Sequence, residues 1–493
     1  MASRPLLLGL LAIGVVTAAR VTGTVDSDVA WQLWIAQRIH AGANLYSDII
    51  ETNPPLWFWM ALPVERLASL VHARIDSVLI VAIGALIALS LAATDRLIRH
   101  LNAARRATLL GYAALTLMAM PWMHVGQREQ IVLIGALPYA ALVAARREHK
   151  SIGPVLAVLI GTAAALGFAL KHYFLIVPIL LEVWLLAGTR NRWRPVRPET
   201  AAIVVVGLAY VAAILLLERD FLTNIVPLIR LAYGDFGAPS PRYLFGPFAL
   251  VAFLTVWMIA AHARLLSGGG TPFATALLVA ATGFAAAYFM QAKGWPYHAI
   301  PMLGCASLAL AALLAESTAA ARMLRIVAPA LLVLPLAFAF DEQQEHTLPS
   351  PDLLRATDGL RPGDSVGFLA IETAVPWSVT LQGRYRYVSR YNGFWMMHAI
   401  MRNERLGNPE PRLDALGHEI VSDTITDFTC TPPRRIIVGP AVPGGIDILP
   451  FFLRDPQFAA LLSHSRLRSR TSLETYELAS PFPPRADSCR AGI

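Results

Sequence analysis

Between residues 6 and 340 the chain alternates long apolar runs with short polar connections rich in arginine. The runs cover residues 6–19, 77–93, 108–120, 131–145, 152–170, 173–187, 201–217, 248–263, 272–290, 298–315 and 326–340. Each approaches the ~20 residues that an α-helix needs to cross hydrocarbon, so the pattern predicts about 11 transmembrane helices. One further apolar stretch, 54–71, is interrupted by Glu65 and Arg66. From Asp341 onward the pattern changes to short β-type runs at 365–371, 384–391, 434–441 and 471–479, with helical periodicity near 412–426 and 450–463. Alternation of that kind predicts a small α/β domain. The expected organisation is an α-helical polytopic membrane module over 1–340 and a soluble α/β domain over 341–493.

Composition agrees, with 56% hydrophobic and only 15% charged residues in 493. The net charge of +8 does not point to nucleic acid, because the arginines fall in short loops rather than in a basic stripe with stacking aromatics. Loops of that kind face the cytoplasm under the positive-inside rule. Arg4 precedes the first span, which places Asp26 and Asp28 outside; "DRLIRHLNAARR" at 95–106 belongs inside. Only one span fits between them, so 54–71 is expected to lie along the outer interface, within a first outer loop spanning 21–75. The N-terminus reads as an uncleaved signal-anchor, with a cleaved signal peptide as the alternative. In "VAWQLWIAQRI" Trp31, Trp34, Ile35 and Ile39 recur at helical spacing, either for headgroup contact or for packing on neighbouring helices.

Sidedness sorts the chemistry. The outer rim receives Asp26, Asp28, Arg74, "PWMHVGQREQ" with Arg128 and Glu129, "LKHYF" with Lys171, and "QAKGWPYHAIP" with Lys293, Trp295, Tyr297 and His298. Lys150, Lys171 and Lys293 are the only lysines among 41 basic residues, and two of them are on this rim. Charges at span ends are costly unless they reach water or a partner. The bland readings are a snorkelling anchor for Lys171, Arg128 or Arg74, an Arg128–Glu129 pair, and a structural histidine for His298. For Asp26 and Asp28 the bland reading is helix capping. Taken together, carboxylates, cations and aromatics on one rim point to an anionic, lipid-borne substrate.

Several short motifs carry a resemblance. They are "DSDVAWQLWIAQRI", a Gly42-x-x-x-Tyr46 step, "NPPLWFW", Arg74 at the head of the next span, "GQRE" at 126–129 and "QAKGWPYH" at 291–298. With these the membrane module resembles the glycosyltransferase C (GT-C) superfamily, near bacterial relatives of protein O-mannosyltransferases and the lipid A aminoarabinose transferase. It departs from the family's pattern in having Val29 after Asp28, where Glu is frequent, and Asn53 before the Pro-Pro pair, where Lys is frequent. The resemblance implies a transferase in a bacterial inner membrane, moving a hexosyl or pentosyl group from a polyprenyl-phosphate donor to a glycan, lipid or protein hydroxyl on the periplasmic side. Asp28 would be the general base, with Asp26 second. Lys171, Arg128, Lys293, His298 and Arg74 would hold the donor phosphate, and Tyr297, Trp295, Asn53 and Glu129 would contact sugar or acceptor. "DSD" also reads as a D-x-D metal motif, and some relatives use a divalent ion, so a metal cofactor stays open. The loop at 218–247 is a candidate lid or a passive surface loop. A periplasmic tail permits a Cys430–Cys489 disulfide, two free thiols being the alternative. The rival from another class is a transporter or flippase of a lipid-linked or anionic substrate, which would place polar residues at mid-span and show repeat symmetry.

Overall fold

The computed structural model describes residues 4–235, 244–245, 248–267, 270–346, 349–407, 410–442, 446–479 and 489. All 11 expected apolar runs are helical, and the interrupted 54–71 stretch forms the helix Leu56–Leu70. Among the described residues seven helices are long and apolar enough to cross a membrane. They are joined by an eighth if Thr318–Leu324 and Ala328–Asp341, bent by 79°, count as one span. Arg4–Arg20, Ala103–Met118 and Pro154–Ala169 are apolar but shorter, at 17, 16 and 16 residues. The protein is a multi-pass membrane protein.

The chain forms two compact units. The first comprises Met1–Val25, Leu67–Ala213 and Pro239–Thr347 and holds the membrane-type helices. Its centre is made by Arg128–Arg147 and Ile300–Glu316, which are almost wholly buried, whereas the apolar window of Pro198–Leu217 buries none of its residues. Small side chains explain the centre. Ile300–Glu316 carries Gly304, Ala306, Ser307, Ala309, Ala311 and Ala312, and Pro272–Gln291 packs along it. Without a hydrophobic driving force inside lipid, helices associate through this kind of close approach. Arg128–Arg147 meets Pro154–Ala169 in the same way. A Cβ on Gly135 would lie 3.0 Å from the Ala163 carbonyl oxygen, and one on Gly167 would lie 3.0 Å from the Val132 Cα. The tightest approach to backbone atoms is at Gly161, whose Cβ would come within 2.6 Å of the Glu199 backbone oxygen.

The second unit comprises Asp26–Arg66, Ile214–Ala238 and Leu348–Ile493. Its sheet has five strands: β1 (Ser365–Leu369), β2 (Arg386–Tyr387), β3 (Arg435–Val438), β4 (Ser465–Arg470) and β5 (Glu474–Leu478), in the order β2-β1-β3-β5-β4. The first three are parallel; β5 runs antiparallel to β3 and β4 antiparallel to β5. Helices cross over between the parallel strands, as that connection requires. They are Ala374–Gly383 between β1 and β2, then Met397–Leu406 and Pro411–Cys430 between β2 and β3. Cys430 and Cys489 are joined in a disulfide, and Cys305 is buried in its helix.

The helix Ser27–His40 from the first loop packs on Ala374–Gly383 within this unit. Trp31 and Trp34 stack at 4.7 Å, and both rings lie within 6.4 Å of Trp377 and Tyr387. Both indoles are buried, so of their two sequence readings the packing one describes them. A backbone bond from Ile50 N to the Arg390 carbonyl (2.8 Å) adds a second attachment. Arg390 is itself anchored by Asp427 (2.8 Å) and Asp423 (2.9 Å). Burial pushes the Asp427 carboxyl above its usual range, a cost the Arg390 guanidinium offsets.

Gly161→Ala is expected to destabilise the first unit by about 1–3 kcal/mol, the range for overpacked sites, because the obstructing atoms are backbone. Thermal unfolding in detergent measures it, with Gly207→Ala, which meets nothing within 4 Å, as the control.

Candidate functional site

Three interruptions of apolar helices in the first unit supply one polar centre. The first precedes Arg128–Arg147. Gly126 adopts φ +92, and its N–H donates to Gln130 Oε1 at 2.7 Å while Gln130 Nε2 donates to the Leu117 carbonyl at 2.9 Å. That locked turn fixes Arg128 and Glu129 in the first helical turn, where the helix dipole favours a carboxylate. The second is Lys171, in extended backbone between Pro154–Ala169 and the 3-10 turn His172–Leu175. The third follows Pro272–Gln291. Ala292 and Gly294 take positive φ of 53° and 69°, ending the helix and presenting Lys293 before the 3-10 turn Pro296–Ala299.

Lys171 Nζ is the hub. It reaches Glu129 Oε1 at 2.5 Å, Gln291 Oε1 at 2.7 Å and His298 Nε2 at 3.1 Å. Glu129 is fully buried and Lys171 is nearly so, and His298 Nε2 lies 3.7 Å from the same carboxylate oxygen. The charges of Lys171, Arg128, Lys293 and His124 all act on the buried His298 imidazole. Tyr297 covers the hub, its ring 5.8 Å from Lys171 Nζ, 4.7 Å from His298 and 5.8 Å from Trp295. Burial pushes the Lys293 ammonium below the range usual for lysine. Lys171 is thus the cation that meets Glu129, while Arg128 and Lys293 are near enough to act on the same His298. Among the described residues, Glu129 Oε2 and His298 Nδ1 are buried without a protein hydrogen-bond partner.

Thus Arg128, Glu129, Lys171, Lys293, Trp295, Tyr297 and His298 belong to one neighbourhood. Arg74 is differently engaged: exposed, it holds the buried Asp76 through Nε (3.0 Å) at the head of Ile75–Leu97. His124, on the rim segment "PWMHVGQREQ", and Gln291, beside Lys293, are further members to which the sequence assigned no role; a polar residue closing an apolar run, as Gln291 does, is the signal that points to one.

Asp26, Asp28 and Asn53 lie in the second unit. Asp26 caps Ser27–His40, its Oδ1 accepting from Asp28 N at 2.7 Å, so capping fixes the half-buried Asp28 in the first turn. Asn53 is fixed by Glu51, whose Oε1 accepts from both Asn53 N and Asn53 Nδ2 at 2.7 Å. Glu51 also accepts from the Trp31 indole and is buried. Tyr46, at φ +74, donates to the Asn53 carbonyl at 2.7 Å. Sequence reasoning did not single out Glu51, which shapes the turn into the Pro-Pro step and steadies the helix that carries Asp28.

No family model matches the sequence, and no curated protein matches it. Solved structures do. ArnT from Cupriavidus metallidurans, solved bound to undecaprenyl phosphate, superposes with a TM-score of 0.55 over 98% of this chain and 98% of its own, at 12% identity. The archaeal oligosaccharyltransferase AglB from Archaeoglobus fulgidus, solved with an inhibitory peptide and a dolichol phosphate, gives 0.46 at 10% identity over 88% of this chain and 69% of its own. The chain therefore shares the fold of ArnT. That match runs nearly end to end and so takes in both parts of the chain.

Two donors do not make a metal cage. Asp26 and Asp28 are joined by no third His, Cys, Asp or Glu among the described residues, and a hard divalent ion asks for six or more oxygens, so the residues do not fit a protein-built metal site. The candidate lid over 218–247 falls partly on 236–243 and 246–247, which lie outside the described residues.

Lys171→Met is expected to cost about 3–5 kcal/mol, because it leaves the buried Glu129 carboxylate without its cation. The double variant Lys171→Met/Glu129→Gln is expected to recover a substantial part of that loss. Unfolding in detergent checks both.

Proposed function

We propose that the protein is a membrane glycosyltransferase that moves a sugar from a polyprenyl-phosphate carrier to a hydroxyl on a glycan, lipid or protein. The observation that carries this reading is the Lys171 hub, a buried centre with excess positive charge in a GT-C fold. The structurally similar ArnT was solved with undecaprenyl phosphate, a lipid phosphate of the kind that would leave here. The reaction takes place on the periplasmic side of a bacterial inner membrane, as the arginine-rich inner loops imply.

The chemistry asks little of an acid catalyst. The acceptor oxygen forms a bond to the anomeric carbon, and the bond from that carbon to the phosphate oxygen breaks. The polyprenyl phosphate leaves with the electron pair, and the acceptor proton passes to Asp28. Arg128, Lys171, Lys293 and His298 stabilise charge growing on phosphate, an effect worth several kcal/mol in a site that excludes water. Trp295, Tyr297 and Asn53 contact sugar or acceptor, and Arg74 supports the phosphate side. Asp26 keeps Asp28 in place. The transferred group is a hexose or pentose.

Purified protein supplied with polyprenyl-phosphate sugar and acceptor tests the reading. Asp28→Asn is expected to lower kcat by about 10²–10⁴, the span for a positioned base, with binding of polyprenyl phosphate unchanged. Wild-type turnover in that variant would remove Asp28 from the role. Transport of the lipid-linked sugar without transfer to any acceptor would replace the reading with a flippase.

Binding should also report Lys293. Its lowered pKa means that the ammonium loses its proton, and its grip on phosphate, below the 10.5 usual for lysine. Donor affinity is therefore full below that lowered value and falls as pH rises through it. Lys293→Arg, which stays charged, is expected to flatten this alkaline limb in a pH series of lipid-phosphate binding.

A further inference from the structure

A second charged cavity, of about 500 Å³, lies at the other end of the Arg128–Arg147 helix. Its lining includes Arg146, His149, Lys150, Arg192, Arg194 and Arg197, with no carboxylate. Arg146 stands 18 residues beyond Arg128, and at 1.5 Å per residue the cavity is roughly 27 Å from the Glu129 end of that helix. It is distinct from the Lys171 centre.

The nearest carboxylates sit behind the lining and orient it. Glu199, fully buried, accepts from Arg146 at 2.9 and 3.0 Å and from Arg197 at 2.9 Å. Glu182 takes a second bond from Arg197, and Glu148 pairs with Lys150 at 2.7 Å. Among the described residues Arg192 and Arg194 have no carboxylate partner, and both are exposed. Two guanidiniums are thus held in fixed forks while two more remain for a ligand, which is an arrangement suited to a phosphate.

The walls decide what carries that phosphate. Leu185, Trp193 and Val196 line the same cavity. The helices that frame it expose apolar faces, with Ile179, Val183 and Leu186 on Ile176–Thr189 and Val204, Val205 and Leu208 on Pro198–Leu217. A free anion has no use for such a surface, whereas an acyl chain does. Both basic segments, "RREHK" and "RNRWRPVR", are ones that the charge bias assigns to the cytoplasmic leaflet, where anionic lipids attract basic residues.

We propose that this cavity seats the phosphate headgroup of an anionic phospholipid, its acyl chains lying along the exposed faces of Ile176–Thr189 and Pro198–Leu217. The proposal does not depend on sugar transfer. The probes are phosphatidylglycerol, phosphatidylcholine and inorganic phosphate, presented to the purified full chain. Lipid retention is read by native mass spectrometry, and binding in nanodiscs by a fluorescent lipid analogue. Wild type is expected to prefer phosphatidylglycerol, and Arg192→Gln/Arg194→Gln to weaken that preference on the order of tenfold, since each basic residue near anionic lipid contributes about as much as a several-fold change. The paired variant leaves every ion pair of Glu199 and Glu182 intact, so its unfolding temperature should match wild type; an Arg322→Gln/Arg325→Gln pair serves as the control. Equal retention of the two lipids by wild type, or an unaltered preference in the Arg192/Arg194 variant, overturns the proposal. Inorganic phosphate that competes at concentrations comparable to the lipid overturns the lipid assignment in favour of a free-anion site.

Discussion

A carboxylate removed from water must be answered by a cation, and Glu129 is where that requirement governs the structure. The group is fully buried in the first turn of the most enclosed helix of the membrane unit. Lys171 meets it only because the chain breaks between two apolar helices just there, and Gln291 and His298 complete the surroundings from either side of one more break. Apolar helices are cheap to build in lipid; their interruptions are not, since each frees backbone groups that need partners. Placing three interruptions around one ion pair satisfies both demands together. The same places gather the cations that the proposed transfer would set against a leaving phosphate.

The basic cavity follows the same rule with the balance reversed. Glu199 is buried, and the two arginines that answer it bring more charge than it neutralises. The Arg128–Arg147 helix, with Glu129 paired near one end and Arg146 paired near the other, is held at two depths. Its middle, with Gly135 against the Ala163 backbone, supplies close packing and no polarity.

Much of this was legible in the chain. Apolar run length gave all 11 helical segments, the cations of the Lys171 centre were visible by type and position, and the Cys430–Cys489 disulfide was one of two readings left open. What escaped has physical causes. β4, "SRLRSR", is exposed along most of its length, so it lacks the apolar alternation by which a half-buried strand is read. The single helix expected over 450–463 is two, divided where Asp455 caps a helix beginning with Pro456, a stop-and-start signal overlooked within an apolar run. Glu51 matters through Trp31, a partner 20 residues away, and no local pattern records that; Gln291 was marked only by closing an apolar run. Trp31 and Trp34 carry a helical periodicity that fits membrane contact and protein contact equally; only the tertiary neighbours Trp377 and Tyr387 distinguish the two.

Those four aromatic rings have a consequence for how the chain can vary. The helix bearing Asp28 is seated on residues more than 340 positions later, so the C-terminal segment is part of the foundation of the first loop rather than an appendage. Shortening the protein before residue 348 would strip two indoles of their cover and set the loop adrift. Exchange of tails between relatives would succeed only where the incoming segment brings its own matching aromatic shelf.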